Sequence, residues 1–183
     1  VYIITTMRAL IMKKKHLNLY IGIDPGWSGC LVFIQDKNIR FFDCPKYASG
    51  MALIVNQIIE NFYKSHNIYC YIEKVHTIDK WSKQSGDKLM INYGMWHGIF
   101  AAHNIKLAEV LPMTWQKYMV NKIHTNPKEN SLETVERIQG YWGYDKWEKT
   151  PMNLIKVVGN NHNRSDALLL AMFCERTKGK LCE

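Results

Sequence analysis

Three acidic residues, Asp24, Glu73 and Asp166, lie where the sequence predicts strands to end or a helix to begin. Asp24 ends the apolar run LNLYIGID, Glu73 lies in YIEKV, and Asp166 precedes the apolar part of NHNRSDALLLAMF. Taken singly, each acid has an ordinary structural role. Asp24 could form a turn, Glu73 could pair with Lys74 or Lys117, and Asp166 could favour a helix N-terminus. Glu73 nevertheless interrupts an apolar strand, where an unpaired carboxylate is costly to bury.

We expect the three carboxylates to converge if the strands of Asp24 and Glu73 are neighbours and the helix of Asp166 packs beside them. Converging like charges repel one another unless a cation neutralises them. Carboxylate oxygens suit Mg²⁺ or Mn²⁺, and two such ions can activate a water and stabilise the leaving oxygen of a phosphodiester. The three acids therefore predict metal-dependent phosphodiester hydrolysis.

The spacing of apolar residues predicts the elements that hold these acids in place. Strands are predicted at 17–24, 30–35, 39–44, 68–75 and 105–111, and helices at 49–66, about 89–103, 112–120, 126–139 and 163–176. The polar segment 76–88 is predicted to be a loop. This order favours one α/β domain, a mixed sheet with helices on both faces.

Composition indicates the class of partner. The chain has 183 residues and a formal net charge of +8, which favours an anionic partner such as nucleic acid. Five cysteines without a CxxC pair argue against a zinc ribbon and for a reducing, intracellular compartment. No apolar stretch is long enough to cross a bilayer, so no membrane association is expected.

Residues 1–17 are apolar, then basic, and contain no acid. This order of segments is wrong for a secretory signal. The segment is either an organellar transit peptide or upstream sequence read from an early start, and we expect it to be poorly ordered.

Four segments resemble one known family. IGIDPGWSG, IEKVH, VLPMTWQKYM and HNRSDALLLA, in this order and spacing, resemble the RuvC-type Holliday junction resolvases over about residues 18–176. The resemblance is nearer to the phage-encoded and organellar branches. It implies a ribonuclease H-like fold with a five-stranded sheet over 18–177, a short tail at 178–183, and a location in the host cytoplasm if the chain is phage-encoded.

The activity that this resemblance implies is Mg²⁺-dependent cleavage of four-way DNA junctions by a homodimer, through paired symmetric nicks. Mn²⁺ is expected to substitute for Mg²⁺, and no small-molecule cofactor is expected. Gly94 and Gly98, four residues apart, would let two helices approach closely, and a symmetric dimer is one use of such a face.

By motif position, Asp24, Glu73 and Asp166 match three catalytic, metal-binding acids of the family. A fourth metal-side group usually lies one helical turn before the last acid, where this chain has His162 and Asn163. His162 is the preferred candidate because imidazole can bind a metal or move a proton near neutral pH. Asn163 stands where many relatives carry Asp, so the fourth group is left open between these two.

The resemblance also indicates residues that contact DNA. The segment after Glu73 probes the junction centre in the family, and either of two rings there, His76 or Trp81, could stack on an unpaired base. Dimer packing or anchoring of the loop explains Trp81 equally well. Arg164 could hold the scissile phosphate, pair with Asp166 or face solvent. The basic candidates are Lys80, Lys83 and Lys88 in the segment after Glu73, and Lys117, Lys122, Lys128 and Arg164 elsewhere.

Several other functions are compatible with parts of the sequence. A nuclease that also cuts flaps and Y-forks would need the same residues, and a junction-binding protein that has lost catalysis would fit the Asn163 departure. The GIDPG segment also resembles the phosphate loop of sugar-kinase-like ATPases, but these need a second glycine-rich loop in a longer chain. Ribonuclease H acting on RNA–DNA hybrids would share the acids but would not need a dimer.

Overall fold

The computed structural model of the chain describes residues 17–36, 38–75, 83–120, 126–141 and 157–180. Within these ranges the chain forms ten elements in the predicted order. They are β1 (Leu17–Asp24), β2 (Cys30–Gln35), β3 (Asn38–Asp43), α1 (Ala48–Phe62), β4 (His66–Glu73), α2 (Lys83–Ala102), β5 (Leu107–Val110), α3 (Pro112–Met119), α4 (Pro127–Tyr141) and α5 (His162–Thr177).

The strands form a single mixed sheet in the order β3-β2-β1-β4-β5. β2 is antiparallel to both β1 and β3, whereas β4 is parallel to β1 and β5 is parallel to β4. Four strands, β1, β3, β4 and β5, therefore end at the same edge of the sheet, which we call the acid edge. The predicted α/β fold with a mixed five-stranded sheet is confirmed.

Each face of the sheet carries its own core, because side chains alternate along β1. Leu19, Ile21 and Ile23 are buried on one face, in a cluster that includes Met51 of α1 and Trp96 of α2. The other face includes Tyr20 and Tyr71 and packs against α3, α4 and α5. The predicted placement of helices on both faces is thus confirmed.

Gly22 marks the closest approach of a helix to the sheet. A Cβ atom built on Gly22 would lie 2.3 Å from the backbone nitrogen of Ala171 and 2.4 Å from the carbonyl oxygen of Ala167, both in α5. Any larger residue would push α5 away from β1. The signal for this contact is a glycine inside an apolar strand, which often marks a close backbone approach.

Some predicted boundaries were wrong. Helix α2 begins at Lys83, so the second part of the predicted loop 76–88 is helical. Gln84, Ser85, Asp87 and Lys88 are exposed, and a solvent-facing turn carries no apolar periodicity that could reveal it. Helix α1 ends at Phe62, four residues before the predicted end, and β4 already begins at His66.

The predicted bounds of β1 and β2 are confirmed, and the remaining boundaries differ by at most two residues. The predicted N-terminal extension, 1–17, lies outside the described residues except for Leu17, which begins β1. No described helix is both long enough and apolar enough to cross a bilayer. The cysteines of the described residues are buried free thiols: Cys30, Cys44, Cys70 and Cys174.

Candidate active site

The structure brings Asp24, Glu73 and Asp166 together at the acid edge. Asp24 and Glu73 end the neighbouring parallel strands β1 and β4, directly after the paired residues Ile23 and Ile72. Both lie on the face of the sheet that α5 covers, because they follow Gly22 and its partner Tyr71 by two residues. Asp166 lies in α5 next to Ala167, which contacts Gly22. We call these residues the three-acid group.

The three carboxyl groups perturb one another. Burial raises the pKa of Asp24 from 3.8 to about 6. Burial, followed by the charges of Asp24 and Asp166, raises the pKa of Glu73 from 4.5 to about 8. Burial and the charge of Asp24 raise the pKa of Asp166 from 3.8 to about 7, against opposing effects of Ser131 and Lys128. Within the described residues, none of the three has an ion-pair partner.

The segment 25–29 turns sharply away from Asp24. The amide of Gly26 donates to Oδ1 of Asp24 at 2.9 Å, and the amide of Gly29 donates to the carbonyl of Gly26 at 2.8 Å. A Cβ atom on Gly29 would lie 2.1 Å from the carbonyl oxygen of Asp24, so this position requires glycine. The turn thus fixes both the backbone and one carboxylate oxygen of Asp24.

Asn92 of α2 binds the first half of this turn. The side chain of Asn92 is fully buried, and its amide nitrogen lies 3.1 Å from the carbonyl oxygen of Gly26 and 3.4 Å from that of Pro25. A buried amide that lost these partners would cost about 1–3 kcal/mol. Asn92 therefore ties the turn after Asp24 to a helix on the opposite face of the sheet. No pattern in the sequence indicates this role of Asn92.

Other elements bind the second half of the turn. The side-chain amide of Asn163 donates to the carbonyl of Ser28 at 2.7 Å. The ammonium group of Lys46 donates to the carbonyl of Trp27, and the amide of Cys44 donates to that of Gly29. Every carbonyl from residue 25 to residue 29 therefore accepts a hydrogen bond, which makes this turn a rigid support for Asp24.

His162 and Asn163, the two candidates for a fourth group, have different surroundings. Asn161 caps α5, since its Oδ1 accepts from the backbone amides of Asn163 and Arg164. Asn163 directs its amide to the turn, as described above. Partial burial and the nearby charge of Lys128 lower the pKa of His162 below its ordinary 6.5, so its ring is neutral at pH 7 and can accept a proton or a metal ion. The choice between the two residues stays a prediction.

The basic candidates occupy several places. Lys128, in the first turn of α4, is exposed and acts electrostatically on Asp166 and His162. Lys117 is exposed on α3, with its ammonium nitrogen 5.9 Å from the centre of the Tyr118 ring. Four of the candidates for DNA contact lie outside the described residues: His76, Lys80, Trp81 and Lys122. Lys83 begins α2, but its side chain is not described.

Arg164 does not pair with Asp166, the protein partner that the sequence suggested. Its guanidinium binds both carboxylate oxygens of Asp43, at the end of β3, and donates to the carbonyl of Val157 at 2.7 Å. Hydrogen bonding to Arg164 lowers the pKa of Asp43. A contact of Arg164 with phosphate stays a prediction and would require it to leave or share Asp43.

The three-acid group has the donor chemistry that Mg²⁺ or Mn²⁺ prefers, namely partly exposed carboxylates that form no salt bridge with another described residue. No three His, Cys, Asp or Glu side chains of the described residues lie together at the spacing of a formed metal site. Binding an ion would therefore require the carboxylates to change rotamer and move closer, which their mutual repulsion disfavours until a cation is present.

Comparisons with protein-family models and with curated protein sequences give no match. Solved structures do match. Thermus thermophilus RuvC in complex with a Holliday junction substrate has a TM-score of 0.52 and 14% identity, over 88% of this chain and 97% of that chain. A further structure of Thermus thermophilus RuvC has a TM-score of 0.51 and 15% identity over the same shares.

The yeast mitochondrial Holliday junction resolvase Ydc2 has a TM-score of 0.54 and 14% identity, over 85% of this chain and 77% of that chain. At these identities the similarity is one of fold. The chain therefore has the fold of the RuvC-type Holliday junction resolvases.

Proposed function

We propose that the protein is a metal-dependent endonuclease that nicks four-way DNA junctions. The observation that carries this proposal is the three-acid group, in which burial raises the pKa of each carboxyl group and neighbouring carboxylates raise those of Glu73 and Asp166 further. None of the three has an ion-pair partner among the described residues. Two further facts support it: the RuvC-type fold and the net charge of +8.

In this proposal Asp24, Glu73 and Asp166 hold Mg²⁺ or Mn²⁺. The bound ions would activate a water and stabilise the leaving oxygen of the phosphodiester. The hydrogen-bonded turn 25–29 keeps Asp24 in place when DNA approaches. The imidazole of His162, neutral at pH 7, can accept a proton or act as a further ligand at one of its ring nitrogens.

Branched DNA as substrate is supported by the Thermus thermophilus structure, which contains a Holliday junction substrate. The three carboxylates repel a phosphodiester backbone, so DNA must be attracted by nearby cations. Lys128 beside Asp166 and the exposed Lys117 are suited to this, and phosphate contacts of this kind position DNA without reading its sequence.

A homodimer would place two active sites on one junction and account for paired nicks. Helix α2 supplies a suitable face: Met90 and Ile91 are exposed, and no described atom lies within 4 Å of a Cβ atom built on Gly94 or Gly98. These four residues share one stripe of the helix. Sedimentation equilibrium should give twice the mass of the chain, whereas a monomer mass at micromolar concentration would contradict this part of the proposal.

The free, buried thiols support an intracellular location. We keep the host cytoplasm as the location if the chain is phage-encoded, and an organelle if residues 1–17 are a transit peptide. The mitochondrial origin of Ydc2 is compatible with the second alternative.

The function is tested by incubating the protein with a synthetic four-way junction, a linear duplex, a flap, a Y-fork and an RNA–DNA hybrid, with Mg²⁺ or with EDTA. The proposal expects nicks in two strands of the junction with Mg²⁺ only. Equal cutting of flaps and Y-forks would favour the broader nuclease. Tight junction binding without cutting would favour the junction-binding protein that has lost catalysis. Cleavage of the RNA–DNA hybrid alone would contradict the junction nuclease and these two alternatives.

A further inference from the structure

A second group of side chains meets beside the acid edge, around the ring of Trp27. Trp27 lies in the turn after Asp24, and its side chain is partly exposed. The ammonium nitrogen of Lys46 lies 4.9 Å from the centre of this ring and that of Lys88 lies 5.4 Å from it. The three residues come from three places in the chain: the turn after β1, the segment after β3 and the first turns of α2.

The two ammonium groups are held in place rather than left to solvent. Lysine side chains ordinarily keep many rotamers, and fixing one costs conformational entropy. Here the face of an indole ring attracts both cations. Lys46 also donates to the carbonyl of Trp27, so its ammonium group is fixed at two points.

Internal charge pairing does not explain the group. Within the described residues neither Lys46 nor Lys88 forms a salt bridge, whereas Lys74 pairs with Glu109, and Arg164 pairs with Asp43. Two positive charges thus lie within 5.4 Å of the centre of one ring, and neither forms a salt bridge with a carboxylate of the described residues. Such an arrangement is suited to an anionic ligand.

The position of the group indicates which anion. Trp27 is three residues from Asp24 in a turn whose carbonyls all accept hydrogen bonds, so the backbone of Trp27 is held close to Asp24. The charge of Asp24 raises the pKa of the Cys44 thiol and the charge of Lys46 lowers it, so both side chains lie near Cys44.

We propose that Lys46 and Lys88 bind phosphates of the DNA strand that flank the scissile phosphate, and that Trp27 is the positioning residue that holds both ammonium groups for this contact. This inference rests on the proposed function, since it assumes that DNA reaches the acid edge. It adds a phosphate contact for Lys46 and a positioning role for Trp27, neither of which the motif resemblance indicated. The two charges also offset the repulsion between the three-acid group and the DNA backbone.

The test is the salt dependence of junction binding, measured in EDTA so that cleavage does not interfere. Each phosphate contact that is lost should reduce the slope of log K against log salt by about 0.9. We expect Lys46→Gln and Lys88→Gln each to reduce the slope by about that amount and the double variant by about twice as much. Lys64→Gln is the matched control, since Lys64 is exposed before β4 at the opposite edge of the sheet.

Two variants of Trp27 test its positioning role. Trp27→Leu removes the ring, so binding should weaken and the slope should fall toward that of the double lysine variant. Trp27→Phe keeps an aromatic face and should restore most of the wild-type slope. Circular dichroism and thermal unfolding of each variant establish that the fold is intact.

The outcomes separate this inference from the proposed function. If the wild-type protein binds the junction and cuts it with Mg²⁺ but both lysine variants keep the wild-type salt slope, only the phosphate contact is overturned. Reduced slopes in a protein that never cuts leave the phosphate contact standing and overturn the nuclease. A wild-type protein that does not bind the junction overturns both.

Discussion

Two sets of carboxylates lie at the same edge of the sheet and differ in what neutralises them. Asp43, at the end of β3, binds the guanidinium of Arg164 through both oxygens, and its pKa is lowered. The three-acid group lies at the ends of β1 and β4 and in α5, and the pKa of each member is raised. The nearest arginine in sequence to Asp166 is thus engaged elsewhere.

The difference indicates what each set does. A carboxylate with a structural role pairs with an arginine, as Asp43 does with Arg164. This pair joins the first turn of α5 to the end of β3. Three half-buried carboxylates that have no such partner among the described residues cost folding free energy in their charged form. Such a cost is typical of a site that binds a ligand of opposite charge, and a divalent cation fits these three oxygen donors.

The largest effect is expected from a substitution that separates α5 from the sheet, because it would move Asp166 away from Asp24 and Glu73. Gly22→Ala places a Cβ atom against the backbone of α5, and such overpacking costs about 1–3 kcal/mol or more. Because α5 carries Asp166, cleavage should fall together with the melting temperature. Gly86→Ala is the control, since its Cβ would meet no described atom within 4 Å, and it should leave the melting temperature unchanged or raise it.

A second prediction concerns pH. Folding raises the pKa of Glu73 to about 8, so its stabilising contribution is complete below pH 4.5 and is lost as the pH rises to about 8. Without divalent metal, Glu73→Gln should therefore melt higher than the wild type at pH 8, by about 2–4 °C for each kcal/mol that burial and repulsion of the charged carboxylate cost.

At pH 4.5 the melting temperatures of Glu73→Gln and wild type should be nearly equal, because both side chains are neutral. Added Mn²⁺ should raise the melting temperature of the wild type at pH 8 more than that of the variant. Parallel curves of melting temperature against pH for the two proteins would contradict the raised pKa.

The smallest effect is expected from the neutralised carboxylate. Asp43→Asn breaks a pair in which one side chain is 58% exposed and the other 30%, so the loss of folding free energy should stay below about 1 kcal/mol. A double-mutant cycle with Arg164→Gln measures the pair itself. A coupling energy of several kcal/mol would show that the pair supports α5 far more than its exposure suggests.

The sequence predicted the order of elements because each apolar strand and amphipathic helix has its own periodicity. It predicted the meeting of the three acids because the ends of neighbouring parallel strands define one edge. It did not predict Asn92 or the Asp43–Arg164 pair, whose partners lie 66 and 121 residues away. Such pairings depend on how α2 and α5 cross the sheet, and no local pattern records that geometry.

The central proposal is that the three-acid group binds the metal ion needed for DNA cleavage and that Asp43 does not bind this ion. The most direct measurement compares Asp24→Asn and Asp43→Asn for Mg²⁺-dependent cutting of a four-way junction, with binding measured separately. Asp24→Asn should bind the junction normally and cut it more than about 100-fold more slowly, because even residues behind metal ligands change activity by about 10–100-fold. Asp43→Asn should retain most of the wild-type rate. Normal cutting by Asp24→Asn would contradict the account.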